Sequence, residues 1–387
     1  MRLRLIYFLA FFSLSLSIMA KDGENIIAAS DSDTVPKKQG FIDKIINYFN
    51  ESNKKKVGRK MDISFIGGPF YSSDSKFGVG LVAAGAYNTC PEDSMTAPSN
   101  MSLSFKATTA AHFELTLRGE HIFPHDRMRL NYEVNFASID TKFWGVGYKQ
   151  CSVDSNESRY KYLSSHAEAH FAWRIAPSVY IGPMVTFDYI NARDFRKPEL
   201  WAFMPSRTFN YSIGASFRYD TRDNLTAPKH GFFIRFDQSF AFRWMGNKYP
   251  YKANELTAAC YFPLWKDATL ASRLHWKVTW GRTQWGVMPY LGGSEFMRGY
   301  FEGRYRDKGA ADLCVELRQH VWRRHGFVVW GGVGSVFPKV DKINFHELLP
   351  NFGVGYRWEF KKNMNVRLDV GFGKHEKGFF FNINEAF

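Results

Sequence analysis

The chain has 387 residues, with 51 lysines and arginines against 37 acidic residues and a formal charge of +14. That balance suits an anionic membrane surface; nucleic acid would suit it too, but the export signal described next argues against such a partner. Beyond that signal no run of about 18 apolar residues occurs, which argues against a transmembrane helix, yet 17% of the chain is aromatic, a bias typical of bilayer interfaces.

The chain opens "MRLRLIYFLAFFSLSLSIMA". Arg2 and Arg4 form a basic start, Leu5 to Leu16 is apolar, and Ala20 is a small residue at a cleavage point. Residues 1–20 therefore read as a secretory signal, too short and wrongly flanked to span a bilayer. Its removal takes two arginines and no acids, so the charge falls from +14 to +12. No cysteine follows the apolar run, against lipoprotein processing. Residues 21–39 are polar and read as disordered. Within 40–53, Phe41, Ile42, Ile45, Ile46 and Phe49 share one helical face ahead of Lys54, Lys55, Lys56, Arg59 and Lys60. The pattern predicts a short periplasmic amphipathic helix within a linker over 21–59. It lies either on the membrane surface or docked on the main domain.

From residue 60 the period changes to two. In "HGFFIRFDQSFAFRW", Phe232, Ile234, Phe236, Phe240, Phe242 and Trp244 alternate with Arg235, Asp237, Ser239 and Arg243. "RMRLNYEVNF" and "LASRLHWKVTW" repeat the pattern, and "FGVGYRWEF" and "NVRLDVGFG" follow it. Each strand so has an apolar and a charged side. Strand lengths of about 10–14 residues suit spanning strands. Connections alternate between tight ("FPHD", "IAPS", "FPLWKD", "WRRHG", "FKKN") and long (139–159, 191–206, 284–307, 337–350). That is the asymmetry of periplasmic turns and outer loops. Open edges do not persist in lipid, so the sheet must close. The fold class predicted is all-β: about sixteen antiparallel strands over 60–387, forming a transmembrane barrel.

Certain residues carry a family resemblance. "GGSEFMRGY", with Gly292, Gly293, Arg298, Gly299 and Tyr300, resembles the Gly-Gly…Arg-Gly-aromatic loop of the BamA/TamA outer-membrane protein family, or bacterial surface antigen family. "YDTRDNLTAPKHG" resembles its Asp-x-Arg-Asp-Asn…Pro-x-x-Gly turn through Asp220, Arg222, Asp223, Pro228 and Gly231. "EKGFFFNI" fits its assembly signal through Glu376, Gly378, Phe381 and Ile383, with Phe387 as the terminal aromatic. "FIGGPFYSSDSKFGVGLVAAG" and "FWGVGY" are similar to the shorter, Bacteroidetes-type members, which extends the likeness over 61–387.

The resemblance implies a sixteen-stranded barrel whose sixth outer loop folds inward, with Arg298 meeting the inner-wall Glu316. The alternative for the loop is an exposed position, its arginines on lipopolysaccharide. Two departures matter. "VVWGGVGSVF" has Gly332 where the family pattern places an Asp that also contacts the arginine, so one anchor of the loop is missing by this reading. The residues between signal and barrel leave no room for a periplasmic POTRA module.

The resemblance also implies work in membrane biogenesis: insertion or translocation of proteins or lipids at the bacterial outer membrane. Implied partners are outer-membrane lipid and lipopolysaccharide, the barrel-assembly machinery during the chain's own insertion, and a protein or lipid client. A passive pore or structural barrel is the other reading. Gly67, Gly68 and Pro69 make the first strand a poor ladder member, so a weak seam is expected between first and last strands. No Gly-x-Ser-x-Gly occurs, which argues against an enzyme. No cofactor is implied. His166, Glu168 and His170 share an inward face, but lumen lining is the plainer reading than metal binding. Cys90, Cys151, Cys260 and Cys314 lack metal-type spacing; since Cys314 falls on a polar face and Cys260 on an apolar one, unpaired thiols are expected.

Overall fold

The computed structural model describes residues 61–72, 75–90, 98–201, 204–361 and 364–387. The expected signal, linker and amphipathic helix lie outside the described residues. The first half of the chain supplies β1 (Met61–Ser72), β2 (Lys76–Tyr87), β3 (Ser99–Thr108), β4 (Phe113–Ile122), β5 (Met128–Phe143), β6 (Ser158–Ala176), β7 (Val179–Arg193) and β8 (Arg207–Asp220). The second half supplies β9 (Gly231–Ala241), β10 (Tyr251–Pro263), β11 (Ala268–Gly281), β14 (Gly309–Trp322), β15 (His325–Phe337), β16 (Leu349–Lys361), β17 (Met364–Gly373) and β18 (Glu376–Ile383). Between β11 and β14 lies a separate two-stranded ladder, β12 (Tyr290–Leu291) with β13 (Tyr305–Arg306).

The sixteen longer strands form one closed antiparallel barrel in which neighbours in sequence are neighbours in space and β11 pairs with β14. Closure removes the edges that lipid would not tolerate. The three longest connections, 144–157, 194–206 and 282–308, all lie at one end, the outer end. Those at the other end include the two-residue turns 177–178 and 323–324.

Burial runs opposite to that of a soluble protein. On β14, Leu313 and Val315 are exposed, whereas Asp312 and Glu316 are buried at 2% and 0% exposure. On β9, Phe232 and Phe236 are exposed and Asp237 is buried. The period-two pattern thus turns apolar side chains toward lipid and charged ones into the lumen. No described helix is long and apolar enough to cross a membrane; strands do the crossing.

Two apolar clusters cap the outer end. One joins Phe143, Tyr160, Ile190, Ala192, Trp201 and Trp285. The other joins Trp144, Cys151, Leu291, Met297, Tyr300, Tyr305, Ala310, Val336 and Leu349. The second contains four residues of loop 282–308, so that loop is part of the barrel's core.

Lysine on the lipid face should report this orientation. Val315→Lys, mid-strand on β14, is expected to cost about 2–4 kcal/mol, and Val321→Lys, beside the turn, about 0–1 kcal/mol. Reversible unfolding in lipid vesicles measures both.

Candidate functional site

Loop 282–308 enters the lumen because its backbone is shaped to do so. The β12–β13 ladder pairs Tyr290 with Arg306 and Leu291 with Tyr305, forming the stem. Gly292 leaves the stem at φ 106°, where an added Cβ would strike the Phe301 carbonyl. Gly293 N–H donates to Tyr300 O at 3.1 Å and closes the tip. Gly299, at φ 119°, lies flat against β17: its Cβ would meet Phe372 backbone at 2.8 Å, and a Cβ on Gly371 would meet Arg298 O at 2.6 Å. Only paired glycines permit such close approach of loop and wall.

That approach delivers Arg298, which is 1% exposed. Its Nη2 donates to Glu316 Oε2 on β14, and its Nη1 to Asp369 Oδ2 on β17 at 2.8 Å. The guanidinium lies 3.8 Å from the Trp330 ring centroid. The Arg298 carbonyl accepts from Asn351 Nδ2 at 3.0 Å. Next to it, Tyr300 Oη donates to Pro350 O at 2.7 Å and accepts from Lys374 N–H at 2.8 Å.

The second carboxylate corrects one expectation. Gly332 does lack an acid, but the loop does not lack an anchor. Asp369 fills that role from β17, within "LDVG", an Asp-x-Gly sequence two strands farther along. At Gly332 an added Cβ would lie 2.5 Å from Asn351 Oδ1. Asn351 therefore occupies the space a side chain there would need, and it holds the loop's backbone instead.

The two carboxylates extend the network. Glu316 also accepts from Arg318 at 2.9 Å, and Asp369 from Arg357 at 2.6 Å. Arg367 lies 3.6 Å from Asp369 and donates to Ser294 O at 3.2 Å. Arg273 donates to Glu295 O at 2.9 Å and pairs with Asp312 at 3.2 Å. Charges this deeply buried stabilise only when each is matched, so the loop and the wall complete each other.

Arg304 and Arg306 of the loop are buried as well. Arg304 bonds Cys151 O at 2.9 Å, Asp154 at 2.6 Å and Glu376. Arg306 donates to Trp285 O at 3.0 Å. With Arg298, Arg304 and Arg306 all buried, the loop is not an exposed lipopolysaccharide-binding arm. Burial also pushes the Cys151 thiol up to about 11, which leaves it an unreactive thiol near neutral pH.

The comparisons with known proteins fit this architecture. The Omp85 superfamily domain matches residues 98–385. The chain belongs to the Omp85 superfamily. Among solved structures it is similar to BamA from Haemophilus ducreyi lacking POTRA domains 1–3, at 11% identity and TM-score 0.55, covering 84% of this chain and 70% of that one. CdiB from Acinetobacter baumannii aligns at 15% identity and TM-score 0.53, covering 84% of this chain and 60% of that one. CdiB from Escherichia coli aligns at 8% identity and TM-score 0.52, covering 88% and 70%. Identities this low speak for the fold alone. No curated protein sequence matches.

In this Omp85 barrel the turn after β8 is a braced structure. Asp220 accepts from Arg222 Nε at 2.9 Å and from Arg218 at 2.9 Å. Asp223 accepts from Lys229 N–H at 2.9 Å and His230 N–H at 3.2 Å. Pro228 is buried, and Gly231 sits at φ 107° where a Cβ would strike Thr221 O. The turn is far in sequence from the loop and shares no side-chain contact with Arg298.

On β18, Gly378 pairs with Gly371, Phe381 with Leu368, and Ile383 with Val366. Phe387 departs from the expected terminal aromatic of that strand. β18 ends at Ile383, Asn384 adopts φ 68°, and the chain turns into the lumen. An Asn tolerates that left-handed conformation, so the strand stops there. Glu385, unnoticed in the sequence, bonds Arg357 at 2.8 Å.

His166 bonds Asp188 at 2.7 Å, and His170 Nε2 lies 3.5 Å from Glu168 and 2.9 Å from Arg235. No group of three or more such residues among the described residues could hold a metal. All four cysteines are free.

Removing the arginine tests its weight. Arg298→Ala takes a guanidinium partner from each of two buried carboxylates and unties the loop from β14 and β17, so a loss of about 3–5 kcal/mol is expected. Arg298→Glu combined with Glu316→Arg should recover only part of it, because residue 298 would then face Asp369. Heat-modifiable gel mobility across a denaturant series measures both.

Proposed function

We propose that this outer-membrane Omp85 barrel inserts or translocates proteins or lipids, and that the junction between β1 and β18 is its moving part. The observation that carries the reading is the contrast between the two sides of β1. Against β2 the register runs without a break from Met61↔Tyr87 to Ser72↔Lys76. Against β18, the register among the described residues is Ser72↔Phe380. The Tyr71 and Phe379 rings meet there at 5.9 Å.

The sequence explains why β1 pairs poorly on that side. Pro69 has no N–H to give, and the register carries Gly67 and Gly68 past the end of β18, which stops at Ile383. Parting such a seam needs few ladder bonds to break. The exposed edges would then offer unpaired N–H and C=O groups to an incoming strand. Meanwhile loop 282–308, anchored on β14 and β17, keeps the rest of the wall in register.

Locking the seam is the test. Ser72→Cys with Phe380→Cys, in a background whose own four cysteines are serine, should crosslink on oxidation. The expected result is loss of client assembly or of growth under oxidising conditions, restored by reductant. An efficient crosslink with no effect in cells, together with steady large conductance in a planar bilayer, would mark a passive pore instead.

A further inference from the structure

The segment after β18, residues 384–387, does something the strand pattern does not require. It turns inward at Asn384, whose N–H donates to Asn365 O at 2.7 Å. Glu385 then bonds Arg357 at 2.8 Å and Asn365 Nδ2 at 2.7 Å, and lies 3.9 Å from Arg318. Its N–H donates to Thr226 O in the turn between β8 and β9 at 3.4 Å. Ala386 is 8% exposed. Phe387 O accepts from Arg318 Nη2 at 2.9 Å. The Phe387 ring lies 4.8 Å from the Arg273 guanidinium, 5.1 Å from that of Arg318, and 6.4 Å from the Tyr261 ring.

These contacts place the segment across the lumen. β18 is where it starts, and β11, which carries Arg273, stands five places round the wall. The residues it touches lie toward the end that carries the short turns. Loop 282–308 fills the lumen from the opposite, outer end.

The two intrusions share their anchors. Glu316 binds Arg298 of the loop and Arg318, which holds Phe387 O. Asp369 binds Arg298 and Arg357, which holds Glu385. Four buried guanidinium groups, of Arg298, Arg318, Arg357 and Arg367, thus face three carboxylates, of Glu316, Asp369 and Glu385. Without Glu385 the same four would share two side-chain carboxylates, one negative charge fewer among them. Desolvated charges do not tolerate such an imbalance cheaply. Arg357 and Arg318 would then compete for the two carboxylates that hold Arg298.

We propose that residues 384–387 form an internal latch: they close the periplasmic mouth of the lumen and, through the shared carboxylates, hold the inward loop in place from below. Release of the latch opens the mouth and loosens the loop together. Phe387 supplies the packed stopper, and Glu385 supplies the charge that couples stopper to loop.

Native Cys314 provides the readout, since it is 6% exposed and its Sγ lies 3.7 Å from Arg298 Nη2 beneath the loop. The full chain, with Cys90, Cys151 and Cys260 as serine, is compared with the same chain carrying Glu385→Gln and Phe387→Ala. Two quantities are measured: the rate of Cys314 modification by a water-soluble maleimide, and single-channel conductance in a planar bilayer. Both should rise, the thiol rate by about tenfold, the scale of losing one hydrogen bond to a charged group. A folded double variant with unchanged thiol rate and conductance overturns the latch. Phe387→Ala alone keeps Glu385 on its arginines and covers the case in which the double variant does not fold. It should raise conductance and leave the Cys314 rate near that of the parent chain. Unchanged conductance in that variant also overturns the proposal.

Discussion

One guanidinium between two carboxylates holds this barrel's interior together. Arg298 reaches β14 through Glu316 and β17 through Asp369, and it stacks on Trp330 of β15. A charge left unpaired at such burial is costly. Each offsets part of the desolvation cost of the others, and so becomes a condition for them. Gly299 and Gly371 permit the close approach of loop and wall from which the arginine reaches both acids.

The constraint spreads outward from there. Two carboxylates that grip the loop also grip Arg318 and Arg357, so the wall strands β14 to β17 are tied across their inner faces as well as through their ladders. At the outer end the ties are apolar: Leu291, Met297, Tyr300 and Tyr305 pack with Trp144 and Leu349. On the far side of β1 the register among the described residues is Ser72↔Phe380. Rigidity is thus concentrated on one arc of the barrel, and the β1–β18 junction lies beside it.

Much of this was legible in the sequence. Alternation in "DLCVELRQHVW" assigns Glu316 inward and Val315 outward, because a closed sheet in lipid leaves no third choice. The glycines and arginines of 291–307 fit an inward loop once the lumen is known to be polar. Two features were not legible, for distinct reasons. Gly332 suggested a missing anchor because family spacing fixes attention on β15, while a barrel brings Asp369 of β17 to the same point in space. Phe387 looked like the end of a strand because its aromatic neighbours continue the pattern. What ends β18 is the backbone at Asn384, and a single asparagine gives no periodic signal. Glu385 is invisible to pattern reading altogether, since its role depends on Arg357 and Arg318 arriving from other strands.

Hydrogen exchange over residues 291–307, in the parent barrel and in Asp369→Asn, measures the central claim most directly. If Arg298 bracketed by two acids holds the loop, the segment is as slow to exchange as the strands in the parent. It becomes fast in the variant while β14 and β17 stay protected. Fast exchange of 291–307 in the parent, or equal protection in both proteins, would contradict the account.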